Sequence, residues 1–232
     1  MALLELRNIF FEVENKTILN DISLTVEKGE VVAFLGTPGS GKSTALKTIA
    51  GITIPTRGKI LFEGKDIMSM NHKENVKFRG RCGFMFQNSA LWANQDIFHN
   101  FLLPLQIHFP DLEAEDYKKI ITEICKIVSY DRSLNIRPAD LSIGEQKRIG
   151  LGRALICNPE ILFLDEPTES LDEDTRKLVA KILKKFIKEG NTVVFVSHDV
   201  DFINTFVCNK YYFDKGSIVD RVYCADEDWS VD

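Results

Sequence analysis

The stretch GTPGSGKST, residues 36–44, constrains the fold of this 232-residue chain more than any other segment. It follows the apolar run VVAFL, which is typical of a buried strand, and precedes ALKTIAG, which is typical of a helix. The spacing is G-x-x-x-x-G-K-[ST], in which backbone N–H groups close around phosphates at the positive end of a helix. The sequence therefore predicts a strand, a phosphate-binding loop (P-loop) and a helix.

The residues of this loop are the candidate nucleotide ligands. Lys42 is expected to reach the β- and γ-phosphates as a point charge, and the Ser43 hydroxyl is expected to hold Mg²⁺. A glycine-rich turn without a ligand is the structural alternative. The candidates for ATP binding are Gly36, Thr37, Pro38, Gly39, Ser40, Gly41, Lys42, Ser43 and Thr44.

Two carboxylates end a second apolar run, ILFLDEP, at residues 161–167. In a sheet of parallel strands, ligands bind beyond the carboxyl ends of the strands, which is where these residues would lie. Asp165 suits the Mg²⁺ shell. Glu166 is placed to polarise a water that attacks the γ-phosphate, a general-base role. An acidic pair at the start of a loop is the alternative.

Charge and cysteine content narrow the class of protein. The formal net charge is −5, so no basic excess is available for a nucleic-acid backbone, and we predict no nucleic-acid partner. The cysteines are scattered without a C-x-x-C pair, which favours reduced, structural thiols. The first ten residues carry charges too early for a signal peptide, and the apolar runs are shorter than the ~20 residues of a membrane span. We expect a cytosolic chain, or one held at a membrane through another component.

Periodicity predicts an α/β chain. Residues 1–30 and 56–67 suggest a small antiparallel layer, whereas the uninterrupted apolar runs at residues 31–36, 161–166 and 192–199 suggest buried parallel strands. Helices are predicted at residues 115–130 and 173–191. In the first of these, the side chains predicted to share a buried face are Tyr117, Ile120, Ile121, Ile124, Ile127 and Val128. Residues 88–155 are predicted to be a helical insertion, and the last eight residues a solvated acidic tail.

The segment LSIGEQKR, residues 141–148, has two compatible interpretations. Ser142 and Glu145 have the S-x-x-E spacing of a helix capping box. The segment also resembles the signature motif of the ATP-binding cassette (ABC) ATPases, Leu-Ser-Gly-Gly-Gln or Glu. Ser142, Gly144 and Glu145 match that motif, while Ile143 replaces its first glycine. One serine can serve both as the cap and as a phosphate ligand.

Three further matches follow the order of the same family. Gln87 in FMFQNSALW resembles the Q-loop glutamine, Asp172 in ESLD resembles the D-loop, and His198 in VSHD resembles the H-loop histidine. The resemblance implies that Gln87 senses Mg²⁺ and the attacking water. It also implies that His198 contacts the γ-phosphate and fixes Glu166.

The resemblance covers essentially the whole chain and implies one domain, residues 1–232. The implied fold is α/β: a P-loop NTPase, RecA-like core with an antiparallel β subdomain at residues 1–87 and 156–232, and an inserted α-helical subdomain at residues 88–155. Two copies would stack head to tail, with ATP and Mg²⁺ between the P-loop of one and the signature residues of the other. The residue at the place where many relatives stack adenine on an aromatic ring is Val13, so base recognition stays open.

A single cassette resembles the separate subunit of a transporter, docked on a permease at the cytoplasmic face of the inner (plasma) membrane. In the family, the region matching residues 79–108 receives the permease's coupling helix, and this region is apolar and aromatic. Trp92, Phe98 and Phe101 are candidates for that contact, with a place in the core as the alternative.

Around Gln87 the sequence most resembles the cassettes of the Mla and Mce type, which move phospholipids between bacterial membranes. Ser89 and Trp92 depart from their pattern. This resemblance implies lipid transport, with an Mce-domain protein as a further partner. Amino-acid import and lipoprotein release are the alternatives. A non-transport ABC ATPase and a small-molecule P-loop kinase are weaker ones, because long coiled coils and zinc modules are absent from the sequence and a kinase leaves the signature unexplained.

Overall fold

The computed structural model describes residues 2–224, so the acidic tail predicted at residues 225–232 lies outside them. The strands are β1 (Ala2–Val13), β2 (Lys16–Glu27), β3 (Val31–Gly36), β4 (Arg57–Phe62), β5 (Lys65–Asp66), β6 (Cys82–Met85), β7 (Ile161–Asp165), β8 (Thr192–Val196), β9 (Asn209–Asp214) and β10 (Ser217–Val222). The helices are α1 (Lys42–Ile49), α2 (His72–Gly80), α3 (Ile97–His108), α4 (Ala114–Ile127), α5 (Ile143–Leu155), α6 (Glu173–Lys188) and α7 (Val200–Asn204).

The smaller sheet is antiparallel, with strand order β2-β1-β4-β5. It confirms the antiparallel layer predicted for residues 1–30 and 56–67. The turn between β1 and β2 uses Glu14 and Asn15, both at positive φ, as a two-residue type I′ hairpin turn requires.

The larger sheet has the order β10-β9-β3-β8-β7-β6, and its pairs from β9 to β6 are parallel. The three predicted parallel strands are β3, β7 and β8. Along β3, Val32 and Phe34 pack with α1 and the smaller sheet, whereas Val31 and Ala33 pack with the helices of the opposite face. Both faces are therefore covered, which explains apolar runs without polar alternation.

Between residues 88 and 155, the regular elements are the helices α3, α4 and α5, joined by loops and a short 3₁₀ turn at Pro138–Asp140. The helices predicted at residues 115–130 and 173–191 are confirmed as α4 and α6. The buried face of α4 was predicted wrongly at one position, because Ile127 is exposed while Cys125 is buried. No helix among residues 2–224 has both the length and the hydropathy to cross a bilayer.

The carboxyl ends of the central strands meet at one edge of the larger sheet. Phe34 and Asp165 are both paired with Val196, so the loops that follow β3, β7 and β8 leave the sheet side by side. This register brings residues 36–44, Glu166 and His198 together at the edge where parallel sheets bind ligands.

Candidate nucleotide-binding site

Two glycines of the loop between β3 and α1 are required by their surroundings. Gly36 has φ 139°, and a Cβ there would lie 2.2 Å from the carbonyl oxygen of Phe213. Gly41 has φ 101°, and a Cβ there would lie 2.9 Å from the carbonyl oxygen of Ile18. Both the backbone conformation and the close approach exclude other residues. The loop thereby turns sharply enough to place its N–H groups at the start of α1.

Lys42 is the buried cation of this loop. Its Nζ donates hydrogen bonds to the carbonyl oxygens of Gly36 at 2.8 Å and Thr37 at 2.7 Å. Burial lowers the pKa of Lys42, while Glu166 and Asp165 raise it. The ammonium is thus held inside the loop, at the place from which it can exchange carbonyl partners for phosphate oxygens.

The predicted metal ligands at the start of α1 and the end of β7 are in contact. Ser43 Oγ donates to Asp165 Oδ1 at 2.7 Å, and Lys47 Nζ lies 3.7 Å from Asp165 Oδ2. Asp165 is buried. Among residues 2–224, no cluster of three or more metal-ligating side chains exists. A hydroxyl and one carboxylate suit Mg²⁺ that arrives with phosphate oxygens, because Mg²⁺ commonly binds through one or two carboxylates plus substrate phosphates.

Glu166 has an unfavourable backbone conformation. Its φ is +49°, in the left-handed region, and it precedes Pro167, which further restricts the backbone of the residue before it. Such a conformation costs on the order of 1–3 kcal/mol and persists only where the surroundings impose it. Here the Glu166 N–H donates to the carbonyl oxygen of Val196 at 3.0 Å. This bond to the last residue of β8 helps to hold Glu166 in that conformation.

The Glu166 carboxylate contacts His198 at both oxygens. Oε2 accepts a hydrogen bond from the His198 backbone N–H at 3.2 Å, and Oε1 lies 3.1 Å from His198 Nε2. Burial raises the pKa of Glu166, although His198 opposes that shift. A carboxyl group with a raised pKa, oriented by a histidine, suits a general base.

The loop, Glu166, His198 and Gln87 line one open cavity of about 540 Å³. Gln87 Nε2 donates to Glu169 Oε2 at 2.9 Å, which places its amide beside the carboxylates. Of the predicted loop residues, those lining the cavity are Pro38, Gly39, Gly41, Lys42, Ser43 and Thr44.

The sequence did not predict three of the residues that line the cavity. Lys16, Ile18 and Glu169 also line the cavity, which contains no aromatic side chain from residues 2–224. Val13 does not line it and is 45% exposed. Val13 ends β1, whereas Lys16 and Ile18 lie just beyond the hairpin turn in β2, so the sequence had identified a position close to these two lining residues.

The signature residues lie outside this cavity. Ser142 is the N-cap of α5: its Oγ accepts the Glu145 N–H at 3.2 Å, and its own N–H and Oγ donate to Glu145 Oε2, each at 2.8 Å. The predicted capping box is confirmed. Arg132 Nη1 lies 3.0 and 3.1 Å from the two oxygens of Glu145. The Ser142 N–H, with Arg132 adding to it, lowers the pKa of Glu145 to about 2.

Ile143, Gly144 and Asp172 complete this second group. Ile143 is 59% exposed, so its side chain points away from the chain's own core. A Cβ on Gly144 would meet Thr175 Oγ1 at 3.7 Å and Asp172 Oδ2 at 3.8 Å, which are ordinary contact distances. Asp172 caps α6 by accepting the Thr175 N–H at 2.9 Å. The chain itself therefore does not require glycine at position 144.

Fold and site together define a P-loop nucleotide-binding protein. The chain belongs to the ABC transporter family, whose sequence profile matches residues 19–169. Membership confirms the family predicted from the signature, Q-loop, D-loop and H-loop matches.

Curated relatives include importers. The methionine import ATP-binding protein MetN 2 of Enterococcus faecalis is 36% identical over 227 residues, covering 95% of this chain and 65% of that protein. MetN 2 of Bacillus cereus is 33% identical and is covered over 60% of its length. The ABC transporter ATP-binding protein YtrE of Bacillus subtilis is 37% identical over 184 residues, 78% of this chain and 79% of that protein. The chain thus spans less than two thirds of the MetN relatives.

Solved structures share the fold. A dimeric structure of the ATP-binding cassette MJ0796, in a post-hydrolysis state bound to ADP and Pi, superposes with a TM-score of 0.88 at 30% identity, covering 95% of this chain and 98% of that chain. This likeness confirms the predicted fold, a P-loop core with an antiparallel sheet and helices.

Proposed function

We propose that this chain is the ATP-hydrolysing subunit of an ABC transporter and that it works as a head-to-tail dimer. The observation that carries the proposal is the Glu166 carboxylate, oriented by His198 in one cavity with Lys42 and Ser43. A base, a histidine, a phosphate-binding cation and a hydroxyl at one sheet edge are the groups that phosphoryl transfer to water needs.

In this proposal the loop residues bind the nucleotide. The N–H groups of residues 36–44 and the N-terminus of α1 hold the phosphates. Lys42 exchanges its bonds to Gly36 and Thr37 for the β- and γ-phosphates. Since the first turn of α1 contains no acidic residue and no side-chain cap, nothing in that turn competes with an anion.

Hydrolysis depends on the position of one water. Glu166 accepts its proton, His198 fixes the carboxylate and reaches the γ-phosphate, and Gln87, which lines the same cavity, orients the water. Mg²⁺ would be held by Ser43 and Asp165, with Gln87 nearby, and would neutralise charge on the phosphates. The protein groups contribute positioning and electrostatics rather than a covalent intermediate.

A second copy is proposed to complete the site. Ser142 and Gly144 lie at the exposed N-terminus of α5 and not in the chain's own cavity. Gly144 has room for a Cβ within its own chain, so a close approach from outside is the reason for glycine there. The relative MJ0796 is dimeric with ADP and Pi bound, which supports the same arrangement here. Asp172, beside Gly144, would lie at the same interface.

The test of this proposal is Glu166→Gln. We expect turnover to fall by about 100-fold or more, because a positioned general base contributes about 10²–10⁴-fold, while ATP binding is retained. Glu169→Gln makes the same chemical change in the same cavity and is expected to cost much less. Normal hydrolysis by the Glu166 variant would refute the assignment of the base.

The surface proposed for a permease is residues 79–108. Its loop before α3 is organised by the buried Asn100, which accepts the Trp92 N–H at 2.8 Å and donates to the carbonyl oxygens of Trp92 and Asp96. Trp92 is 39% exposed and lines an open surface cavity of about 310 Å³. Phe101, in contrast, is fully buried and belongs to the core. Phe98 is half-buried against the core. Trp92 is therefore the aromatic side chain available to a helix.

Amino-acid import is the substrate class we propose, with methionine as the first candidate. The support is that the MetN relatives are methionine import ATP-binding proteins. The same relatives favour the importer alternative over the lipid interpretation, and they give no support to an Mce-domain partner. We propose that the subunit lies at the cytoplasmic face of the plasma membrane, bound to its permease.

The substrate proposal is tested in proteoliposomes. The chain is purified with the permease encoded beside it and assayed for ATP-dependent uptake of radiolabelled methionine and of phospholipid. Methionine uptake supports the proposal. Movement of phospholipid alone would restore the lipid interpretation.

A further inference from the structure

Lys147 is a buried cation that the ATP-hydrolysis scheme above does not use. It lies on α5, is only 4% exposed, and its Nζ donates to the carbonyl oxygen of Glu166 at 2.8 Å. Lysine is rarely buried to this extent unless it is paired. The partner here is the main chain of the proposed general base.

The carbonyl oxygen of Glu166 accepts two hydrogen bonds, one from Lys147 Nζ at 2.8 Å and a longer one from the Glu169 N–H at 3.4 Å. The residue has φ +49° and precedes Pro167, so local preferences oppose its conformation from both sides. Its N–H is held by Val196 and its carboxylate by His198. Lys147 makes the shorter of the two hydrogen bonds to the carbonyl oxygen, and a charged donor makes a stronger bond than a neutral one.

The surroundings of Lys147 act on its ammonium group in opposite directions. Burial lowers the pKa of Lys147, and the neighbouring carboxylates of Glu169, Glu166 and Asp165 raise it. Lys147 Nζ therefore holds the main chain of Glu166, while His198 holds the Glu166 carboxylate at the cavity.

The helix that carries Lys147 also carries the signature residues. Ser142, the N-cap of α5, precedes Lys147 by five residues, which is about 7.5 Å along a helix axis. Any shift of α5 toward or away from β7 therefore changes the distance between Lys147 and the Glu166 carbonyl.

We propose that Lys147 is a positioning residue for Glu166, and that through it the placement of the base in one subunit depends on the position of that subunit's own signature helix. This inference rests on the proposed function. Lys147 touches neither nucleotide nor water in this scheme, because its bond is to the main chain behind the base. Loss of Lys147 is therefore expected to lower the turnover of ATP rather than the affinity for ATP.

The experiment compares Lys147→Met, which keeps the length and loses the donor, with wild type. We expect kcat to fall by about 10- to 100-fold, the order of loss caused by a small misplacement of a catalytic group. The Kd for ATP should change less than about threefold, a factor worth only ~0.7 kcal/mol. ATP-driven dimerisation should persist when Lys147→Met is combined with Glu166→Gln.

Two further variants separate positioning from general stability. Lys147→Gln retains an N–H donor and should recover part of the lost kcat. Arg148→Met is the matched control, because Arg148 is the next residue of α5 and donates to the carbonyl oxygens of Val128 and Ser129, away from the cavity. It should lower the thermal midpoint at least as much as Lys147→Met without the same loss of kcat.

Several outcomes would overturn the inference. These are a kcat for Lys147→Met within about twofold of wild type, an equal loss of ATP affinity, a kcat for Lys147→Gln no better than for Lys147→Met, or an equal loss of kcat in Arg148→Met. If Lys147→Met does not fold, kcat is compared between Lys147→Gln and Arg148→Met, and the inference requires the greater loss of kcat in Lys147→Gln. A wild-type chain without ATPase activity would instead refute the proposed function itself.

Discussion

The N-termini of α1 and α5 are both proposed to meet the phosphates of ATP, yet they are built in opposite ways. The α1 terminus begins at Gly41 without a side-chain cap or an acidic residue in its first turn, and it has Lys42. The α5 terminus is closed by a capping box between Ser142 and Glu145, and the Glu145 carboxylate is ionised beside Arg132.

The difference separates a permanent site from a transient one. At α1 no side-chain cap and no acidic residue of the first turn competes for the N–H groups, so the terminus suits a phosphate that stays bound through the cycle. At α5 the Ser142 hydroxyl already donates to Glu145, so a phosphate must compete with a carboxylate of its own sign. Such a terminus is stable alone and can engage and release a nucleotide held by another subunit.

The largest expected effect comes from removing the cation of α1. Lys42→Ala should weaken ATP binding to the isolated chain by about 100-fold, because a charged hydrogen bond to phosphate contributes up to about 3 kcal/mol. Ser142→Ala, at the other terminus, should leave that affinity unchanged within about twofold. Isothermal titration measures both, and equal losses would erase the distinction between the two termini.

A smaller effect is expected at the charge pair of α5. Arg132→Ala leaves the Glu145 carboxylate uncompensated near the incoming phosphate, so ATP-driven dimerisation should weaken by about fivefold, a small effect because the pair is exposed to solvent. Adding Glu145→Gln to Arg132→Ala should restore dimerisation, since glutamine still completes a capping box. Sedimentation equilibrium measures the dimer constant. An uncorrected defect in the double variant would contradict the electrostatic role of Arg132.

The smallest effect concerns stability against acid. The pKa of Glu145 is lowered from 4.5 to about 2 in the folded chain, so its stabilising contribution is fully present above pH 4.5 and is lost as the pH falls toward 2. Glu145→Gln should lower the thermal midpoint at pH 6 by a few degrees and by less near pH 2.5. If the difference in thermal midpoint between Glu145→Gln and wild type is the same at both pH values, the carboxylate charge does not stabilise the cap.

Much of the α1 side of this comparison could be predicted from sequence, because it depends on local spacing. The run of residues 31–44 specifies its own strand, loop and helix, and the three apolar runs identified the central parallel strands. The strands β6, β9 and β10 were not predicted. Cys82–Met85 has only four residues, and Asn209–Asp214 and Ser217–Val222 mix polar and apolar residues without a clear period.

The contacts of Glu166 and of α5 join residues that are distant in sequence, and the spacing of motifs does not reveal them. Glu166 meets His198 across 32 positions and Lys147 across 19. Nothing in ILFLDEP indicates that Glu166 adopts a left-handed backbone, because that conformation is imposed by its neighbours in space. The pairing of Arg132 with Glu145 likewise depends on how the loop after α4 folds back on α5.

The central claim is that α1 binds ATP within the chain and that α5 binds the ATP of a second copy. Its most direct test is the molar mass, measured by light scattering, of Glu166→Gln with ATP and Mg²⁺, with and without Ser142→Arg. We expect a dimer from Glu166→Gln and a monomer from the double variant, which should still bind ATP with unchanged affinity. A double variant that dimerises equally, or that loses ATP binding as a monomer, would contradict the claim.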